Sequence, residues 1–491
     1  MSCFDEFISK LPDISGAKAC GVYPLSVNAA DGVTAFMVRG ADADELIVCG
    51  EGADAFSGER SESGAYLTAP LTHENACALR KLFPFTAPVP VLSRDRTAGV
   101  GDRLGIACPG HIRVFNDYDA YPVFAQQSIR ELNLTQRTYE DVLDCVSFAV
   151  FRDGFKRGFG ADGDHLKKAE EVEYALGLGY TMITLDCSEH IRGDVDGLSA
   201  DDCAAQCKPS EELKALYLGQ SITVEDTVIT YDEDSLRRCQ MIYGAAIEFA
   251  AGIYGKYFAD GRCAADFEIS IDETATPTAP AQHYFVASEL TRRGVKFQTM
   301  APRFCGEFQK GVDYIGDLAQ FELELKAHAA IARHFGYKLS IHSGSDKFST
   351  FELIGKYTRG RFHLKTAGTN WLEAMRAVAA ADPGLYREVH KYALSMFGEA
   401  KKFYHVTTDL SKIPDVDGLA DEQLVALFDQ NDARQLIHIT YGFILTVKDC
   451  GGGYIFRDRL YKIWRDNEQT YSDMLYRHIG HHLELLYKGF N

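Results

Sequence analysis

No stretch of the 491-residue chain stays apolar for the roughly 18 residues that a membrane helix needs, so no spanning segment is expected. The opening residues, MSCFDEFISKLPD, carry acids where an export signal is basic and lack its apolar centre, so a cytoplasmic location is expected. The 13 cysteines are odd in number and scattered, with only Cys203 and Cys207 close together; they read as reduced thiols. With no second cysteine pair nearby, Cys203 and Cys207 are not expected to hold a metal. Positive charge is also short: 51 Lys and Arg face 70 Asp and Glu, a formal charge of −19. That argues against a nucleic-acid partner, which needs a basic footprint. It does not exclude an anionic small molecule, because a local pocket of Lys and Arg can hold a carboxylate. There is no internal repeat and no low-complexity segment.

Hydrophobic residues make up 46% and charged residues 25%, the balance of a soluble globular protein with a large core. The length predicts one large domain and a smaller one. Residues 1–92 read as a small α+β domain: strand-like runs at 33–38 and 45–49 flank turn residues 39–42, a hairpin pattern, and the Pro-rich stretch 83–90 reads as a linker. In residues 93–491, short apolar strands alternate with amphipathic helices. The strand candidates are 123–126, 159–164, 181–186, 267–272, 296–301, 338–342, 361–366 and 404–408; helices are expected at 166–178, 234–257, 317–335, 370–381 and 383–397. Eight β-then-α units predict an α/β fold, a (β/α)8 TIM-type barrel, with a doubly wound open sheet as the rival. Residues 191–233 exceed a barrel loop and contain a strand-like pair, 216–222 and 227–231, expected as an inserted hairpin on the catalytic side. Residues 458–488 read as helical.

The strands share a pattern in which the first half is apolar and the C-terminal end carries acids, histidine or lysine, and barrel enzymes place their chemistry at that end. In Phe267-Glu268-Ile269-Ser270-Ile271-Asp272, strand alternation turns Glu268, Ser270 and Asp272 toward the axis. A carboxylate there needs a cation or metal; a salt bridge inside the barrel is the bland alternative. By the same parity Ser340 and His342 face inward, as do His363 and Lys365. His342 is a metal-ligand candidate, set against a hydrogen-bonded core histidine. Lys365 is a candidate to hold a substrate carboxylate or polarise a carbonyl, and Arg303 is a second candidate anion clamp, with an ion pair to Glu307 as its alternative. The run GFGADGDH at 158–165 matches a dinucleotide pattern literally, but it follows a helix and Asp162 and Asp164 would repel a pyrophosphate. It reads instead as a strand whose Asp162 and Asp164 point inward, with His165 at the rim. Gln126 and Gln127 end the strand before it, and Gln127 is a third substrate-binding candidate. Asp186 and His190 are weaker candidates, and His478, His481 and His482 read as a solvated helix face.

In order, the segments 101–106, 109–113, 124–131, 158–165, 342–348, 365–369 and 434–442 resemble the tagaturonate epimerase family, which interconverts tagaturonate and fructuronate. The resemblance runs from about residue 95 to 445, with Gly163 where the family motif has alanine. It implies a barrel, a divalent metal cation of unspecified identity, Asp164 as proton acceptor, Glu268 as proton donor, and His165 and His342 as metal ligands. Glu268, Asp272 and His190 are the candidates for a third ligand.

The two keto acids differ at a carbon β to the ketone, whose C–H the carbonyl does not acidify. Cleavage to two fragments, rotation of the aldehyde and re-addition is then the expected route, since no credible NAD site is present. The expected partner is a small keto-uronate, with no nucleic acid and no membrane; a homo-oligomer is left open. Two other functions compete: a metal-dependent ketose epimerase, isomerase or aldolase acting on neutral or phosphorylated sugars, and a non-catalytic sugar-acid sensor.

Overall fold

The computed structural model describes residues 3–366 and 368–490. Eight parallel strands close into a barrel: β1 (Arg96–Val100), β2 (Tyr121–Ser128), β3 (Gly160–Leu166), β4 (Met182–Asp186), β5 (Asp266–Ile271), β6 (Thr299–Pro302), β7 (Lys338–Ile341) and β8 (Phe362–Thr366). Closure is made by β8 against β1, with Phe362 opposite Arg96 and Thr366 opposite Val100. The expected barrel is therefore present, with one strand exchanged. Arg96-Thr-Ala-Gly-Val100 has too few large apolar residues to signal a strand, yet it opens the barrel. Residues 404–408 alternate buried and exposed but pair with no strand; they form a wall above the barrel mouth.

Outward-facing strand residues such as Phe267, Ile269, Leu339, Ile341 and Leu364 join the surrounding helices in the main core. Gly163 faces outward too, where a Cβ would come within 3.0 Å of Leu166 and 3.1 Å of Ala175. The tight seat of helix Ala169–Gly177 therefore favours glycine at this position. After β8 the chain leaves the barrel for a helical layer with its own core, built on Trp371, Met375, Tyr386, Phe428 and Trp464. It returns as helix Glu468–Lys488, which packs between helices Phe348–Thr358 and Cys108–Asp117, in the place of an eighth barrel helix. Gly355 permits that approach, since a Cβ there would lie 2.0 Å from the Leu486 carbonyl oxygen.

Before the barrel, a five-stranded antiparallel sheet contains the expected hairpin, Val33–Arg39 paired with Asp44–Gly50. It rests on helix Tyr139–Arg152 through Phe83, Phe148 and Phe151. The linker then crosses the N-terminal ends of the strands, where Val91 and Leu92 pack on Val123 and Met182.

Two expectations are corrected here. The inserted hairpin, Ser221–Val224 with Thr227–Thr230, lies outside the barrel against helices Pro280–Arg292 and Leu318–Phe335, not at the mouth. Its turn is fixed by Glu225, 2.7 Å from Arg333. Cys3 and Cys20, expected as thiols, are joined in a disulfide; the remaining cysteines, Cys203 and Cys207 included, are free. No helix among the described residues is long and apolar enough to cross a membrane.

Candidate active site

A cavity of about 580 Å3 opens at the C-terminal ends of the strands. Its floor holds Asp164, His165, Asp272, His342 and Lys365. Period-two alternation delivers most of these inward, as the sequence predicts. His165 follows Asp164 directly and should point away; its φ of +56° and the register shift after Gly163 turn its ring back into the cavity. A left-handed histidine costs about 1–3 kcal/mol, strain of the kind concentrated at functional sites.

Lys365 is the central cation. Its Nζ lies 2.8 Å from Asp162 Oδ2, 2.8 Å from Asp164 Oδ1 and 2.9 Å from Glu268 Oε1, and it donates to the Thr184 hydroxyl. Burial would lower its pKa, but the three acids hold it well above the ordinary lysine range. Lys365, expected to touch the substrate, is thus engaged by three carboxylates and a hydroxyl at the cavity floor.

Burial pushes Asp162 up to about 6, with Lys365 opposing the shift. Burial would also raise Asp164, but His165 and Lys365 outweigh it and keep the carboxyl well below its usual range. Glu268 sits between Thr184 and Thr299 in register, and both hydroxyls donate to it, at 3.1 and 2.6 Å. Lys365 and His342 overcome its burial and hold it ionised. It is fully buried and does not line the cavity. Glu268, expected as the proton donor, lies one layer beneath the floor, with both oxygens engaged.

The ligand atoms of His165, Asp272 and His342 lie within 4.8 Å of one another. Two imidazoles and a carboxylate suit a divalent transition cation. The His165 Nδ1 hydrogen-bonds Asp164 at 2.8 Å, the pairing that orients a ligating ring, and leaves Nε2 for the cation. His342 bonds Asp272 through Nδ1 at 3.0 Å and Glu268 through Nε2 at 2.8 Å. Burial would depress this ring, but Asp272 and Glu268 raise it to about 10, so it holds a proton that a metal would displace. Of the three candidates for a third ligand, Asp272 is the one brought to the site; His190 stacks on Phe249 with ring centres 4.1 Å apart.

Other expected residues fall differently. Gln127 is buried with its amide beside Gly101, and its neighbour Gln126 is among the residues that line the cavity. Arg303 lines the cavity as expected and makes no ion pair among the described residues; Glu307 faces His405 instead, at 3.5 Å. On the last helix His481 is exposed, as expected, but His478 is half-buried and His482 buried, so the face is only partly solvated. His478 binds Asp346 at 2.7 Å, and Arg434 already supplies that carboxylate with a cation at 3.0 Å. The residues that period-two reasoning could not reach are Arg130, Gln309, Lys310 and Tyr404, all on loops or helix ends at the cavity wall.

A family model for tagaturonate epimerase matches residues 23–486. The tagaturonate/fructuronate epimerase of Thermotoga maritima is 42% identical over 472 residues, covering 95% of this chain and 96% of that protein. The glycerol-complexed crystal structure of the fructuronate-tagaturonate epimerase of Cohnella laeviribosi is 47% identical, covers 98% of this chain and 99% of that one, and superposes with a TM-score of 0.94. Its native crystal structure gives 0.93. The likeness includes the sheet before the barrel, which the sequence motifs alone do not reach. The chain therefore belongs to the tagaturonate epimerase family and is an enzyme of the isomerase class.

Proposed function

We propose that the protein interconverts tagaturonate and fructuronate with a divalent metal ion, by cleaving and re-forming one carbon–carbon bond. The observation that carries this reading is the meeting of Asp164, Lys365 and the His165–Asp272–His342 trio on the floor of one cavity. A cavity of about 580 Å3 accommodates a six-carbon acid. The cation held by the trio would act as a Lewis acid toward the ketone oxygen.

The chain supplies the proton chemistry. Asp164 is ionised, faces the cavity and takes the proton of the hydroxyl at the carbon to be inverted. As that oxygen becomes a carbonyl, the bond to the neighbouring carbon breaks, leaving a three-carbon aldehyde acid and an enediolate. The aldehyde turns over, the bond re-forms on its other face, and the oxygen recovers a proton from the same network. Lys365 links Asp164 to Glu268 in that network and keeps both carboxylates ionised between turnovers. Glu268 acts through Lys365 and His342 as a positioning residue. General acid–base help of this kind contributes roughly 10²–10⁴-fold. We read residues 1–92 as a separate small domain that braces the barrel, because among the described residues none before Gln126 lines the cavity.

The test is to incubate purified protein with tagaturonate, fructuronate, tagatose and fructose, with and without added metals. Epimerisation of the acids that is lost to EDTA and restored by one metal is expected, together with exchange of labelled three-carbon fragment into product. Net cleavage, aldose formation, or turnover with bound NAD and no fragment exchange would overturn the reading.

A further inference from the structure

Lys310, Arg130 and Arg303 line the same cavity as Lys365, but among the described residues none of them comes within 4 Å of a carboxylate oxygen. Lys310 is the best fixed. Its Nζ donates to Ser343 Oγ at 3.3 Å, and the loop that carries it is locked from behind. Lys347 donates to the carbonyls of Gln309 and Val312 at 2.8 and 2.6 Å. Arg434 donates to the Gly311 carbonyl at 2.7 Å, and Gln435 to that of Lys310 at 3.2 Å. Arg434 and Gln435 belong to the segment 434–442, one of the family-like motifs, for which the proton chemistry has no use.

Gln309, beside Lys310, carries a second signal. Its amide oxygen accepts from the Thr407 N–H at 3.0 Å, the Thr407 hydroxyl at 3.1 Å and Gln435 Nε2 at 3.0 Å. That fixes the amide orientation. Its Nε2 is left buried with no hydrogen-bond partner, on a residue that lines the cavity. A buried donor without a partner keeps its full desolvation cost unless something supplies an acceptor. Arg130 completes the wall, its guanidinium 5.1 Å from the centre of the Tyr404 ring.

We propose that Lys310 and Gln309, with Arg130 at the rim, form the subsite for the substrate's carboxylate, and that this subsite selects sugar acids over neutral ketoses. A carboxylate accepts from several donors at once and gains most from cationic ones. Burial pushes the Lys310 ammonium below its ordinary range, with Glu131 opposing the shift and Arg130 and Arg103 adding to it, so an arriving anion relieves a real cost. Arg303 is held only through its backbone, by Thr278, and is secondary. An aldehyde fragment tethered by its carboxylate can turn over without leaving. The proposal rests on the keto-acid reading above.

The metal-loaded enzyme is titrated calorimetrically with gluconate, an unreactive six-carbon acid, and with sorbitol, its neutral counterpart. In Lys310→Gln the gluconate dissociation constant should rise at least about tenfold, the loss of one charge-assisted hydrogen bond, with sorbitol unchanged. Lys310→Arg should retain most of the affinity, and Arg130→Gln, at the rim, provides a second variant if Lys310→Gln does not fold. KM for the keto-uronate should rise more than kcat falls. Unchanged gluconate binding in Lys310→Gln, or an equal loss for sorbitol, would overturn the subsite. An enzyme that does not epimerise keto-uronates but still loses gluconate in Lys310→Gln refutes the proposed function and keeps the subsite; normal epimerisation with an unaltered KM in Lys310→Gln does the reverse.

Discussion

Loading the His165–Asp272–His342 trio with a divalent cation should expel protons, and the structure sets the scale. A ligating imidazole must be neutral. His342 lies 3.0 Å from Asp272 and 2.8 Å from Glu268, and these carboxylates raise it to about 10. At pH 7 the gap is about three units, which at 1.36 kcal/mol per unit is about 4 kcal/mol, or a thousandfold, taken from the apparent metal affinity. The sign follows from the raised pKa. As pH rises toward 10 the ring loses its proton, so affinity should climb about tenfold per pH unit through the range above 7. His165, also raised, by Asp164 against its burial, adds a second proton where it titrates. For the metal-free protein, the stabilisation from ionised His342 is complete below the unfolded value of 6.5 and is lost as pH rises through about 10. Calorimetric titration with Zn or Mn, repeated in buffers of different ionisation enthalpy, counts the protons; between about one and two per metal are expected. Glu268→Gln removes one carboxylate from His342 and should move the pH window downward. No proton release, with affinity flat between pH 6 and 9, would refute the reasoning.

Two further outcomes follow from the same charges. Lys365→Met leaves Asp162, Asp164 and Glu268 buried without their cation; it should cost about 3–5 kcal/mol in urea denaturation at pH 8 and less at pH 5.5, where protonation relieves the repulsion. A loss independent of pH would refute that account. Arg103→Met should cost a similar amount, about 3–5 kcal/mol, because buried Glu131 loses the cation it pairs with at 2.7 Å, and the 3.8 Å stacking on Tyr441 is lost as well; a change below about 1 kcal/mol would contradict the buried-pair reading.

Much of the site was legible where a side chain rides on a regular strand. Alternation in 267–272 turned Glu268 and Asp272 inward, and the same rule placed Asp162, Asp164, His342 and Lys365. For His165 the rule gave the wrong direction, since a left-handed φ reverses it locally. Arg96–Val100 went unread because its small residues carry no apolar signal, and 404–408 was misread because a cavity wall can alternate as a strand does. Lys310 and Gln309 sit on an irregular loop whose direction comes from Lys347, Arg434 and Gln435, residues that lie 35 to 126 positions away in the chain.

By itself, the sequence determined the periodic elements, the face each presents and the family-like motifs, because strand and helix geometry are local and repeat every two or about 3.6 residues. Only the tertiary structure decided which charges meet. It set Lys365 among three carboxylates, lowered Glu268 beneath the floor, joined Asp272 to two histidines and left Lys310 unpaired. Coulomb energies change steeply over a few ångströms inside a low-dielectric core, and such distances are fixed by barrel closure and by loops from distant parts of the chain.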